Sequence, residues 1–84
     1  MNIPKILSVQ AQEHKKLLVT FVNGTVKIYD CTPLLYRETF RLLANDAFFK
    51  SVNVDAGGYG ISWNDEIDLS EYELWANGVE VAMA

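Results

Sequence analysis

Apolar and polar residues alternate most regularly between positions 15 and 30, on both sides of Asn23-Gly24. The apolar positions of this segment are Leu17, Val19, Phe21, Val26 and Ile28. Asn-Gly favours a two-residue type I′ turn because both central residues need positive φ. The pattern therefore predicts a β-hairpin with Asn23-Gly24 at its tip and these five apolar side chains together on one buried face.

The two-residue turn also predicts the second face of the hairpin. Its cross-strand pairs would be Leu18–Tyr29, Thr20–Lys27 and Val22–Thr25. This mixed face depends on the register, because a slip of one residue moves a strand's side chains to the opposite side. If nothing covers it, Leu18, Val22 and Tyr29 form an apolar patch that a second copy of the chain could bury. Coverage by a helix over Tyr36–Leu43 is the alternative.

The segments that flank the hairpin predict a meander followed by a helix. Residues 3–12 predict a strand with Leu7 and Val9 on one face, and Glu13-His14 would turn it into the hairpin. Thr32-Pro33 predicts a helix start, because threonine caps a helix and proline has no N–H to leave unsatisfied there.

An apolar stripe predicts the body of that helix. Tyr36, Phe40 and Leu43 recur at positions i, i+4 and i+7, which is the spacing of one helical face. Asn45-Asp46 is expected to end or break the helix, and residues 47–49 are expected to add a further turn.

The second half of the chain predicts a shorter hairpin and a capped helix. Alternation over residues 52–55 and 59–63, separated by Gly57-Gly58, indicates the hairpin. Ser70 and Glu73 form a capping-box pattern, and Gly78 fits the C′ position of the helix. Leu69 and Leu74 occupy the hydrophobic staple positions, while residues 79–84 predict an edge strand or a tail.

Length and composition place these elements in one α+β domain over residues 1–84, with a core at about 3–78. The chain is 50% apolar and 21% charged, which excludes intrinsic disorder. The apolar stretches are far shorter than the roughly 20 residues that span a bilayer. With one cysteine and no export signal in its first residues, the chain is expected to be cytoplasmic.

Charge is unevenly distributed along the chain. The first fifty residues carry seven basic and four acidic side chains, a net of +3, and the remainder carries seven acids and no base, a net of −7. The acidic excess disfavours nucleic acid as a direct ligand, because phosphate binding needs a concentrated basic surface. The asymmetry fits either a partner surface or a chance segregation of surface charge.

Reactive groups are few, so we assign no catalytic, cofactor-binding or metal-binding residue. His14 has no nameable catalytic partner, and Cys31 fits a small buried hydrophobe better than a reactive thiol. The Gly-rich segment 57–60 lacks the features of a phosphate loop. The acidic loop after Trp63 could supply oxygen ligands for a divalent cation or belong to a small-ligand enzyme subunit, and this is the alternative function.

Aromatic residues supply the other candidates for a binding surface. Tyr59, Trp63, Tyr72 and Trp75 are concentrated in the acidic part of the chain, where they would serve as core residues or exposed anchors. The predicted interaction surface comprises Leu18, Val22, Tyr29, Tyr59, Trp75 and Glu71.

The order of several short motifs resembles a bacterial family described as domain of unknown function 2442. The motifs are Phe21-Val22-Asn23-Gly24, Tyr29-Asp30, Pro33-Leu34-Leu35, Phe40, Leu43, Phe48-Phe49, Val52-Asn53-Val54-Asp55, Gly58, Ile61-Ser62-Trp63, Asp68-Leu69 and Glu73-Leu74. Cys31 and Asn64 depart from the usual aliphatic residue and proline. The resemblance implies a small α+β domain, sometimes fused to a helix-turn-helix domain, and brings no catalytic residues.

The resemblance also implies a domain sometimes encoded beside another small protein, as in toxin–antitoxin or regulatory pairs. We therefore expect a non-enzymatic protein-interaction module, an acidic accessory or antitoxin-like partner in a bacterial regulatory pair. Its expected partners are a second copy of the chain and another small regulatory protein. Direct DNA binding ranks third, after the small-ligand or metal-binding alternative.

Overall fold

Two antiparallel sheets organise the structure, a computed structural model that describes residues 2–81. The strands are β1 (Ile6–Gln12), β2 (Lys16–Phe21), β3 (Val26–Asp30), β4 (Asn53–Val54), β5 (Gly60–Ser62), β6 (Asp68–Ser70) and β7 (Val79–Glu80). One sheet has the order β1-β2-β3-β7 and the other the order β4-β5-β6. The helices are α1 (Asp46–Phe49) and α2 (Glu71–Asn77), with 3-10 segments at Glu13–Lys15, Thr32–Tyr36, Glu38–Ala44 and Ala56–Gly58. The predicted α+β class is confirmed.

The β2–β3 hairpin exists, but its predicted register is wrong by one residue. The N–H of Phe21 donates to the carbonyl of Thr25 at 2.8 Å, so the loop contains three residues rather than two. Gly24 has φ of +91°, and a left-handed glycine at this position is typical of three-residue hairpin loops. Asn23 supports the loop through its side chain, which accepts a hydrogen bond from the N–H of Thr25 at 3.0 Å.

This shift exchanges the two faces of β3 but leaves β2 as predicted. Leu17 now pairs with Tyr29, and Leu18 pairs with Ile28. The core side of β3 therefore carries Lys27 and Tyr29 instead of the predicted Val26 and Ile28.

The predicted faces of β1 are also partly wrong. Val9 and Ala11 pair with β2 residues of the core face, and the register shifts between Ile6 and Ser8. Because of this irregularity Leu7 lies 63% exposed instead of sharing a buried face with Val9.

The region predicted as one helix after Pro33 forms two 3-10 segments. They are separated by Arg37, which is extended at φ −97° and ψ 134°. Tyr36 is consequently 91% exposed, whereas Leu34 and Leu43 are buried. Cys31 rather than Thr32 is the N-cap residue, and the carboxylate of Asp30 accepts from the N–H of Thr32 at 2.9 Å.

The later elements largely match the prediction. Asn45 ends the 3-10 region and caps α1 by accepting from the N–H of Phe48 at 2.9 Å. The β4–β5 hairpin has the predicted antiparallel pairing, and β6, which the sequence pattern did not predict, adds a third strand. β7 is the predicted edge strand, and the remaining part of that segment, residues 82–84, lies outside the described residues.

Helix α2 begins where the sequence predicts, although its ends differ in detail. The hydroxyl of Ser70 accepts from the N–H of Glu73 at 3.1 Å, and Leu69 and Leu74 are both buried. The Glu73 carboxylate bonds to Tyr29 instead of completing a capping box. Gly78 is extended at φ −77° rather than left-handed. Glycine is needed there because a Cβ would lie 2.5 Å from the Leu74 carbonyl oxygen.

The hydrophobic core lies on one side of the four-stranded sheet. Its largest fully buried side chains are Phe21, Leu17, Leu43, Ile61 and Leu74. Helix α2 packs here through an edge-to-face contact between Trp75 and Phe21, with ring centroids 5.0 Å apart. Trp63 joins the smaller sheet to α1, stacking on Phe49 and donating from its indole nitrogen to the Phe49 carbonyl at 2.8 Å.

Candidate protein-interaction surface

The other side of the four-stranded sheet is the candidate site, and we call it the open face. The open face comprises Ser8, Gln10 and Gln12 of β1, Lys16, Leu18 and Thr20 of β2, Val26, Ile28 and Asp30 of β3, and Val79 of β7. Its aliphatic side chains lie outside the hydrophobic core cluster, although Val26 is itself buried at 9% exposure, and α1 and α2 contribute Phe49 and Leu74 to that cluster. The sheet thus has one face in the core and one without a covering helix in the described residues.

An aliphatic row crosses the centre of the open face. Strand pairing places Leu18 beside Ile28, and Ile28 beside Val79. Leu18 and Ile28 are half-buried, and Val79 is 72% exposed. The pairing of the last strand with β3 extends to Val81, whose N–H donates to the carbonyl of Val26 at 2.9 Å. Aliphatic groups bordered by uncharged polar side chains suit contact with another protein surface.

One charged pair lies at the end of the open face. Lys16 and Asp30 are direct cross-strand partners. The pKa of the Asp30 carboxyl is lowered mainly by hydrogen bonds from Thr32 and further by the positive charge of Lys16. Asp30 is therefore ionised at neutral pH, and the pair presents opposite charges side by side.

The predicted interaction residues are divided between separate places. Leu18 lies on the open face, and Val22 lies exposed in the hairpin loop. Tyr29 is only 5% exposed and faces the core, so the predicted patch of Leu18, Val22 and Tyr29 does not form. Its hydroxyl donates to Glu73 at 2.8 Å, and burial together with this carboxylate raises the pKa of Tyr29.

Tyr59 and Glu71 form a second cluster around Lys5. The ammonium of Lys5 donates to both Glu71 carboxylate oxygens, at 2.8 and 3.0 Å, and lies 4.0 Å from the centroid of the exposed Tyr59 ring. This cluster pairs a base from the first part of the chain with an acid from the second, so part of the charge asymmetry is neutralised within the fold.

Trp75 is half-buried and serves the packing of α2 against the sheet. Besides contacting Phe21, its ring lies 4.1 Å from the ammonium of Lys27, which also donates to the Trp75 carbonyl at 2.5 Å.

The residues that the sequence analysis missed are Val26, Ile28 and Val79. Their alternation was visible, but their assignment to a face depended on the size of the Asn23-Gly24 loop.

Cys31 lies in the core, and His14 lies in a surface groove. Cys31 is fully buried, and burial, followed by the nearby Asp30 charge, raises the pKa of its thiol to about 12. His14 lines a groove of ≈ 370 Å³ beside Lys15 and Phe49, but no serine, threonine or cysteine is among the groove's lining residues within the described chain. Lys15 forms an ion pair with Asp46 at this groove.

In the acidic loop after Trp63, the side chain of Asn64 holds the backbone of the loop. The amide oxygen of Asn64 accepts from the N–H groups of Glu66 and Ile67, at 2.9 and 2.8 Å. Within residues 2–81, no three His, Cys, Asp or Glu side chains are grouped so as to hold a metal ion.

Comparison with known proteins gives a family without an assigned activity. Residues 6–80 match the model of the family described as protein of unknown function DUF2442. The chain belongs to this family. The resemblance noted from the short motifs is thereby confirmed over nearly the whole chain. No curated protein and no solved structure matches the sequence. Among the described residues, no helix is long and apolar enough to cross a membrane.

Proposed function

We propose that this protein is a non-enzymatic protein-interaction module whose open face binds another protein. The observation that carries the proposal is the row Leu18–Ile28–Val79, which lies on a sheet face without a covering helix in residues 2–81. Covering such a row removes apolar surface from water, a gain of about 25 cal/mol per Å².

The chemistry of the open face supports a protein partner over a small polar ligand. Its centre consists of aliphatic and uncharged polar groups, and its charges are the balanced pair of Lys16 and Asp30. A site for phosphate or a divalent cation would require convergent charges of one sign.

The finer form of the proposal is an acidic accessory or antitoxin-like member of a bacterial regulatory pair, acting in the cytoplasm. The net charge of −4 and the family resemblance support it.

Site-specific photo-crosslinking in cells tests the proposal. A benzophenone amino acid is placed at Val79, which is 72% exposed on the open face, and separately at Tyr36, which is 91% exposed on a 3-10 segment outside it. We expect a discrete covalent adduct with a protein from position 79 and none from position 36. Circular dichroism checks that both variants fold. Absence of an adduct at position 79, or identical adducts from both positions, would overturn the proposal.

A further inference from the structure

We infer that the protein docking on the open face is a second copy of this chain, related by a two-fold axis parallel to the strands and between β2 and β3. The inference rests on the proposed function and names the partner of the same surface. It makes the contact isologous, with the same residues used on both copies.

The arrangement of charges on the open face supports this partner. A two-fold axis between β2 and β3 exchanges the positions of directly paired residues when two faces are stacked. It therefore places Lys16 of one copy against the partner's Asp30, and Asp30 against the partner's Lys16. Two complementary pairs form from a single cross-strand pair, which favours self-recognition.

The apolar centre is self-complementary about the same axis. Leu18 comes to lie against the partner's Ile28, because these two residues are also direct cross-strand partners. The outer strands then form the rim, where Gln10 of β1 lies near the partner's Val79 and its amide keeps access to water. An axis perpendicular to the strands would instead bring the Lys16–Asp30 end against the hairpin-loop end and lose both charge pairs.

The size of the face indicates a weak dimer. Four strands about 4.8 Å apart and five residues rising about 3.4 Å each give a plan area on the order of 300 Å². Stable interfaces bury about 800 Å² per partner, so this contact belongs to the weak, transient class. We therefore expect self-association at roughly 100 μM rather than at nanomolar concentration.

Sedimentation equilibrium of the full chain from about 10 μM to about 1 mM provides the first test, because this range brackets the expected dissociation constant. We expect the average mass to rise from the monomer toward the dimer. A monomer mass throughout would overturn the inference. If the crosslinker at Val79 then captures a different protein, the proposed function stands while the second copy is excluded as its partner.

A charge exchange tests the axis. Lys16→Glu alone would set two acids against each other at each contact, and Asp30→Lys alone would set two bases, so each homodimer should weaken about tenfold. Mixing the two variants should restore association, because every facing pair then has opposite signs. The assigned axis would be overturned if one of the two substitutions left the dissociation constant unchanged, or if mixing the two variants did not restore association.

A matched control covers the case in which Asp30→Lys disturbs folding, since Asp30 also accepts a hydrogen bond from Thr32. Lys50 is an exposed lysine outside the open face. Lys50→Glu makes the same charge change as Lys16→Glu, and it should leave the dissociation constant unchanged. Equal effects of these two variants would show a dependence on net charge alone and would contradict the stacked arrangement.

Discussion

The two faces of the four-stranded sheet are built from the same strands but carry different kinds of residue. Leu17, Val19 and Phe21 of β2 are fully buried on the core face, whereas Leu18 and Thr20 remain half-buried on the open face. In β2 the hydrophobic pattern distinguishes the faces, because one side is wholly apolar. In β3 it does not, since apolar residues stand on both sides.

The core face of β3 shows how long amphipathic side chains replace simple apolar ones. Tyr29 buries its ring while its hydroxyl reaches Glu73, and Lys27 extends its stem so that its ammonium reaches the Trp75 carbonyl. Such residues place an apolar body inside and a polar tip at the boundary. The shorter Val26 and Ile28 lie on the other side of β3, where Val26 is buried and Ile28 is half-buried.

The largest expected difference between the faces concerns a buried charge. Val19→Asp should prevent folding, because it places an unpaired carboxylate in a fully buried position. Thr20→Asp, one residue away on the open face, should cost less than about 1 kcal/mol. Urea denaturation followed by circular dichroism measures both. Equal destabilisation by the two substitutions would contradict the difference between the faces, because it would mean that the open face is covered.

A smaller effect is expected from the polar tip of Tyr29. Tyr29→Phe removes the hydrogen bond to Glu73 and should lower the free energy of unfolding by about 1 kcal/mol at pH 7. Tyr72→Phe is the control, because Tyr72 is exposed, and it should change the stability by less than about 0.5 kcal/mol.

The same variant predicts a pH dependence. The folded state raises the pKa of Tyr29, so its contribution to stability is present below the unfolded value of about 10 and is lost as pH rises above it. The difference between wild type and Tyr29→Phe should therefore shrink above about pH 10. A difference that stays constant to high pH would place the hydroxyl in water rather than at the boundary of the core.

The third prediction concerns the helix that lies against the core face. Ser70→Ala removes the cap of α2 and should cost about 0.5–2 kcal/mol. Ser8→Ala makes the same chemical change on the exposed part of the open face and should stay within about 0.5 kcal/mol. Urea melts compare the two variants. Similar losses would mean that α2 does not depend on its cap, and a larger loss for Ser8→Ala would give the open face a structural role.

Local signals predicted the elements whose physics is local. The Ser70 cap and the staple of Leu69 and Leu74 appear where the sequence places them, and the helical segment ends at Asn45 as expected, because these signals act within about one turn. The β4–β5 hairpin follows its alternating pattern for the same reason. The helix over Tyr36–Leu43 is wrong because Arg37 is extended and divides the segment. The apolar stripe alone could not reveal that break.

The candidate surface was predicted only in part. The alternating pattern assigns Leu18 to the correct face, but it places Tyr29 there as well and assigns Ile28 to the core. One extra loop residue at Gly24 accounts for both errors, because the side-chain period of a strand is two. Val79 was recognised as an edge-strand residue, but its position beside Ile28 depends on pairing between distant segments.

The sequence by itself determined the α+β class, the core face of β2 and the N-terminal cap of α2. These features follow from residue periodicity and from hydrogen bonds between near neighbours. Only the tertiary structure decided the faces of β3 and the existence of the open face. The reason is that Asn23-Gly24 is compatible with hairpin loops of two or three residues. Which loop forms depends on how β3 packs against residues that are distant in the sequence. In the three-residue form, Tyr29 reaches Glu73 and Lys27 reaches α2, and the remaining aliphatic residues line the other side of the sheet.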